Sequence, residues 1–190
     1  MYSNRTSRLP LLHAFLAVIL SALLGIPSAI AHPRGINWFD DVAAVNSSGS
    51  VSITINLSEQ RAYFYKGGQL VGVSKVSSGK RGFSTRPGHF RILSKHPQHR
   101  STIYGSYVDR RTGRVVKADV NTRKDRRPPG TYYRGAKMNN YLRFNGGIGM
   151  HASGHVPNYP ASHGCVRMPP HMAQKFYRYA RVGTPVRVTY

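Results

Sequence analysis

The densest chemistry in this chain lies between Ile148 and Pro169, in the run Ile-Gly-Met-His-Ala-Ser-Gly-His-Val-Pro-Asn-Tyr-Pro-Ala-Ser-His-Gly-Cys-Val-Arg-Met-Pro. It holds Cys165, the only cysteine, and three of the nine histidines, His151, His155 and His163. Acyl transfer by a thiol needs a nucleophile, a base within hydrogen-bond reach, a group that orients the base, and donors for the developing oxyanion. Cys165 is the candidate nucleophile. Two residues compete as base: His163 lies two positions from the thiol and points the same way in an extended segment, whereas His151 comes from a separate strand end and faces the sulfur across a cleft. Gly164 allows close backbone approach to a carbonyl, so the amides of His163, Gly164 and Cys165 are candidate oxyanion donors. An imidazole neighbour in a polar loop predicts a thiol pKa below the ordinary ~8.5.

Other chemistries fit less well. His151, His155, His163 and Cys165 are all possible zinc ligands. The interval Ala152-Ser153-Gly154, however, has no Glu, and Gly154 and Pro157 disfavour a helix, so the two-histidine helical zinc geometry fails. No metal site and no cofactor are expected. Paired-carboxylate hydrolysis lacks its acids, since Glu59 is the only glutamate and no acid follows Asp125. A Ser-His-Asp arrangement lacks a third member near Ser153 or Ser162. The plain alternative for Cys165 is a small apolar side chain.

The ends of the chain say where such a thiol would work. Arg5 and Arg8, an apolar run from Leu9 to Ile26, and Ala29 and Ala31 have the layout of a signal peptide over residues 1–31, cut after Ala31. An uncut anchor is the alternative, for which the run is barely long enough. The expectation is an exported protein, in the periplasm or cell wall, with no retained membrane span. A lone cysteine cannot form an intramolecular disulfide there, and an idle thiol would be a liability. Lys and Arg total 28 against 6 Asp and Glu, a net +22. Cleavage would remove Arg5 and Arg8 from that +22 and leave about +20. Such an excess favours anionic partners, here the envelope surface rather than nucleic acid.

Positioning the motif falls to the elements around it. Residues 32–50 lack a sustained period and, with Asn46-Ser47-Ser48-Gly49-Ser50, read as a linker arm before a domain over 51–190. Val51, Ile53, Ile55 and Leu57 alternate with polar residues, predicting a half-buried strand. Arg61–Tyr65 and Gln69–Val76 around Gly67-Gly68 predict a hairpin, and His89–Ser94 a further short strand. Residues 95–137 carry 12 Lys/Arg and 3 Asp among scattered Pro and Gly, and read as a long basic loop with a possible hairpin near Asp109–Gly113, the natural wall of a cleft. Tyr141–Phe144 and Ile148–Met150 predict strands about Asn145-Gly146-Gly147 that deliver His151. Met172, Phe176, Tyr177 and Ala180 recur at helical spacing, with Gly183 beyond them, and Pro185–Tyr190 predicts a last strand.

Ser162-His163-Gly164-Cys165-Val166-Arg167, with Ile-Gly-Met-His ending at His151, resembles the signature of the YkuD-type L,D-transpeptidases of bacterial cell walls. The similarity runs through Ser78-Gly79, Pro87-Gly88-His89-Phe90 and Gly183-Thr184-Pro185-Val186, covering about Val51 to Val188. It implies a mainly β, sandwich-like catalytic domain with a C-terminal helix. By position it makes Cys165 the nucleophile and His151 the base, with Ser162, His163, Gly164 and Arg167 shaping the site and a backbone carbonyl just after His151 orienting the imidazole. It also implies peptidoglycan stem peptides as substrates: the thiol displaces a terminal D-alanine, forms a thioester, and passes the acyl group to an amine. Two other readings stand beside it. One is a non-catalytic basic protein that binds the cell wall; the other is attachment of an envelope protein to peptidoglycan.

Overall fold

The computed structural model describes Met1 and residues 35–190. The expected leader, residues 1–31, lies outside the described residues apart from Met1. Among the described residues, three sheets and two helices make up the domain. A six-stranded sheet contains β1 (Trp38–Phe39), β2 (Val51–Asn56), β3 (Arg61–Lys66), β4 (Gln69–Lys75), β5 (Gly88–Arg91) and β13 (Pro185–Thr189), in the order β1-β4-β3-β2-β13-β5. A four-stranded sheet contains β6 (Ser94–His96), β10 (Tyr141–Asn145), β11 (Ile148–Ala152) and β12 (Val166–Met168), in the order β12-β11-β10-β6. The third sheet has β7 (Arg100–Asp109) between β8 (Val115–Asn121) and β9 (Thr131–Lys137).

The alternation in β2 does what it predicts, burying Ile53 and Ile55 on one face. With Phe64, Val71 and Val186 these meet Leu142, Phe144, Met150, Val166 and Met168 of the four-stranded sheet in one core. Helix α2 (Pro170–Tyr179) closes that core with Met172, Ala173 and Phe176. Pro170 at its first position costs no hydrogen bond there, and Arg178 in its last turn suits the helix dipole. The result is a mainly β, sandwich-like domain with a C-terminal helix, as expected.

Three expectations are corrected. The segment read as a linker arm, 32–50, contains β1 and α1 (Asp41–Asn46), and β1 pairs with β4. Phe39 lies over Gly72, where a Cβ would stand 2.4 Å from its ring, and joins Phe64, Phe176 and Tyr179 in an aromatic cluster. Asp40 caps α1 through Ala43 N–H, and Asp41 ties it to Lys175 and Tyr179 of α2. Second, the single strand expected over His89–Ser94 is split between β5 and β6 in different sheets. The chain crosses at Ile92-Leu93, whose amides donate to Thr184 and Arg143 carbonyls respectively. Third, residues 95–137 are not a loop: Lys95 and His96 belong to β6, and residues 100–137 form the three-stranded sheet. Most of β8 and much of β9 is exposed, so only Tyr107, Val108, Val120, Thr131 and Gly135 are buried among them; charge on the open face hides the strand period. The turn near Asp109–Gly113 is present, with Asp109 Oδ1 accepting from the amides of Arg111 and Thr112.

Candidate active site

Strands β11 and β12 are parallel neighbours, with Met150 opposite Val166 and His151 opposite Arg167. Continued back one residue, this register sets Cys165 beside Gly149, a diagonal step from His151, about 8 Å between Cα atoms on ordinary strand spacing. Residues two apart in a strand share a face. His151, Cys165 and Arg167 accordingly line one cleft of about 750 Å³, together with Ser162 and His163. His155 lies on its rim, exposed, and its wall is completed by Tyr104, His99 and Tyr141.

The imidazole of His151 is 7% exposed, and its Nδ1 lies 2.9 Å from the carbonyl oxygen of Ala152. A carbonyl only accepts, so Nδ1 carries the proton and Nε2 is left as the basic atom. Burial pushes the pKa down to about 4; the Ala152 hydrogen bond opposes this, and the charges of Arg167 and His99 add to it. The base is therefore uncharged over the whole neutral range.

Cys165 behaves contrary to the sequence expectation. Burial pushes its thiol up rather than down, against smaller opposing contributions from the Gly149 amide and the Arg167 charge. The sulfur makes a long contact, 3.7 Å, to the Gly147 carbonyl. An uncharged imidazole supplies no positive charge to stabilise a thiolate, which leaves desolvation dominant. The resting pair is a neutral thiol and a neutral imidazole.

The loop bearing the thiol is pinned from several sides. Ser162 Oγ donates to the Cys165 carbonyl and accepts from Gly164 N–H at 3.1 Å. Gly164 has φ +108, a conformation that disfavours any side chain, and its carbonyl accepts from Thr85 Oγ1 at 2.7 Å. Gly79 N–H donates to the same Thr85 oxygen. Ser77 and Arg167 exchange backbone hydrogen bonds, and Ser78 is held by the buried amide of Gln60. Because Gly164 N–H is spent on Ser162, it is no longer among the candidate oxyanion donors. His163 is not placed as a free base either: its ring stacks on Tyr104 at 4.3 Å and meets Phe83 edge-on at 4.7 Å. Burial, with Lys80 and Arg167, holds its pKa below the usual imidazole value.

Thr85, Gln60, Tyr141 and His99 are the residues that sequence reasoning did not single out. Tyr141, buried, donates its hydroxyl to the Gly147 carbonyl at 2.8 Å and stacks on His99 at 4.5 Å. Burial and the nearby thiol keep that phenol protonated. Nothing in local spacing marks Thr85, since its partner Gly164 is 79 positions away.

Residues 50–188 match the YkuD L,D-transpeptidase catalytic domain family. Similar solved structures include an L,D-transpeptidase from Mycobacterium smegmatis, 22% identical, covering 74% of this chain and 59% of its own, with a TM-score of 0.55. Another, from Xylanimonas cellulosilytica, is 23% identical, covers 75% of this chain and 62% of its own, and has a TM-score of 0.54. A third L,D-transpeptidase, solved in complex with imipenem, is 19% identical, with coverages of 74% and 59% and a TM-score of 0.55. The chain thus spans about three fifths of the length of these structures, and at such identity they establish the fold alone. No curated protein matches. The family match extends from the strand before the hairpin to the last strand of the sheet and includes every residue of the cleft, so the chain belongs to the YkuD family of L,D-transpeptidase catalytic domains.

Proposed function

We propose that this chain is an exported cysteine L,D-transpeptidase that acts on peptidoglycan stem peptides in cell-wall cross-linking or remodelling. The observation that carries this is the orientation of His151. Its Nδ1 is tied to the Ala152 carbonyl at 2.9 Å, its Nε2 is basic, and it shares a cleft with the thiol. In the reaction, His151 Nε2 takes the Sγ proton as Cys165 attacks the carbonyl that precedes the terminal D-alanine. The proton then passes to the departing amine, leaving a thioester on Cys165. An acceptor amine later reverses the sequence and frees the thiol. The amides of His163 and Cys165 serve the oxyanion, and Arg167 supplies positive charge beside the sulfur. Export rests on the leader pattern of residues 1–31, and an anionic envelope partner on the net +22.

The imipenem complex of a structural relative suggests the test. A carbapenem should form a one-to-one adduct with Cys165, seen by intact mass and located by peptide mapping. The adduct should be absent in Cys165→Ala and form ~10²–10⁴-fold more slowly in His151→Ala, the usual worth of a general base. A folded protein that gives no adduct would overturn the reading in favour of a basic wall-binding protein.

A further inference from the structure

A concavity of about 680 Å³ lies between α1, the C-terminal end of α2 and the ends of β3 and β5, and shares no lining residue with the thiol cleft. Lys66, Arg91, Arg178 and Arg181 line it, and no Asp or Glu does. None of these four is in an ion pair among the described residues. The carboxylate whose charge reaches Arg178, that of Asp41, is itself bonded to Lys175 and Tyr179.

A helix C-terminus ordinarily repels an anion, through its dipole and its unpaired carbonyls. Here cations cover those carbonyls. Lys95 Nζ donates to the carbonyls of Tyr177 and Ala180, and Arg91 Nη1 donates to that of Gly183 at 3.0 Å. Arg178 is set over the Tyr179 ring, 5.5 Å from its centroid. Burial, and after it the charge of Arg181, lowers the pKa of Lys95, so the cations at this end already repel one another. A bound anion relieves that repulsion.

The rim of the basin is apolar. Helix α1 buries Ala44 and turns its larger residues outward: Val45, which lines the basin, is 64% exposed, and Val42, one turn earlier on the same side, is 68% exposed. Val182, between Arg181 and Gly183 of the wall, is 62% exposed. A lone exposed valine needs no explanation. Three beside one cationic basin combine the two attractions that seat a protein on an anionic bilayer, charge for the headgroup and apolar side chains for the acyl boundary. A soluble anion or a polyanionic polymer gains nothing from the valines, and this favours lipid.

We propose that this basin is a membrane-docking site that takes the phosphodiester headgroup of an anionic phospholipid, with Val42, Val45 and Val182 seated at the acyl boundary. The inference rests on the anionic-envelope part of the reading above and is independent of acyl transfer by Cys165.

The test follows the backbone amides of Gly49, Val182 and Gly183 by NMR in the full chain as monomeric dihexanoylphosphatidylglycerol is added, which confines the readout to the basin. Wild-type protein should show saturable shifts there. Arg178→Ala/Arg181→Ala should weaken binding by roughly 10- to 100-fold, the range expected of charge-assisted contacts. Arg123→Ala/Lys124→Ala removes the same charge elsewhere and should change it by less than about 3-fold, since distant exposed charges are screened. Val45→Ser/Val182→Ser should weaken it by about 3- to 10-fold, to the level of glycerophosphoglycerol, the same phosphodiester without acyl chains. Unchanged amide positions outside the basin show that each variant is folded. Unmoved basin amides in wild-type protein, or binding that survives Arg178→Ala/Arg181→Ala, would overturn the site. Equal losses in the two charge variants would replace it with attraction by net charge alone, leaving the envelope reading in place. Lipid that binds no tighter than glycerophosphoglycerol would overturn the assignment to a bilayer in favour of a soluble phosphodiester.

Discussion

His151 should make the native state lose stability in mild acid, by an amount that follows from its burial. The imidazole sits at a pKa of about 4 in the folded chain, against 6.5 ordinarily. Between those values the unfolded chain binds a proton that the native state does not. Stability rises with pH wherever the unfolded state binds more protons. This group therefore has no effect above about pH 6.5, weakens the fold progressively as pH falls toward 4, and levels off below that, where both states are charged. The loss is roughly 3 kcal/mol in full and about 2–3 kcal/mol by pH 4.5. His99 and His163 are also held below the usual imidazole value by burial and act in the same direction. His151→Gln isolates the one contribution. Urea unfolding of wild type and variant at pH 7.5 and pH 4.5 should show wild type losing about 2–3 kcal/mol more than the variant. Equal losses, or an NMR titration of His151 with a midpoint near 6.5, would refute the buried, uncharged imidazole.

Thr85→Val keeps the shape of a buried side chain but leaves the Gly164 carbonyl and Gly79 amide without their shared partner. It should cost ~1–3 kcal/mol in chemical denaturation and slow the carbapenem reaction by loosening the thiol loop. Phe39→Ala should cost about 2–3 kcal/mol, below the ~3–5 of a fully buried phenylalanine because Phe39 is only half-buried. A neutral outcome would show that residues 38–46 are an arm after all. Thiolate absorbance near 240 nm in wild-type protein should emerge only above the ordinary cysteine range, because burial pushes Cys165 up. A thiolate already present at pH 7 would contradict the neutral resting pair.

What the sequence discloses divides along a physical line. The β2 alternation, the Gly67-Gly68 hairpin and the stripe of α2 are local periodicities, and each was legible because one face is buried and the other is not. The Cys165 and His151 motif was legible because its residues sit within one short run. Phe39 was hidden, since two residues of strand carry no period and its partners Phe64 and Phe176 are distant in the chain. The strands of 100–137 were hidden because exposure on both faces of β8 removes the alternation that would mark them. The sign of the Cys165 shift was also out of reach. A nearby histidine can be read from a sequence, but whether that histidine is charged depends on how deeply tertiary packing buries it.

That burial has a mechanistic consequence in the proposed reaction. Gly149 N–H and Arg167 both favour the thiolate, while Arg167 and His99 both disfavour the imidazolium. Proton transfer from Sγ to Nε2 thus creates an anion that its surroundings accept and a cation that they reject. An imidazolium with a pKa of about 4 is a far stronger acid than a free one, and it gives up its proton readily to a departing amine. The base is consequently weak on its way into the reaction and strong as an acid on its way out. Attack by sulfur must be drawn forward by the substrate carbonyl and the amides that receive its oxygen, because the thiol and imidazole do not form an ion pair on their own. Arg167 acts on both partners at once, lowering the energy of the sulfur anion and raising that of the protonated ring, which explains why a cation opposite His151 in the β11–β12 register suits a site with no carboxylate among its lining groups apart from Asp119.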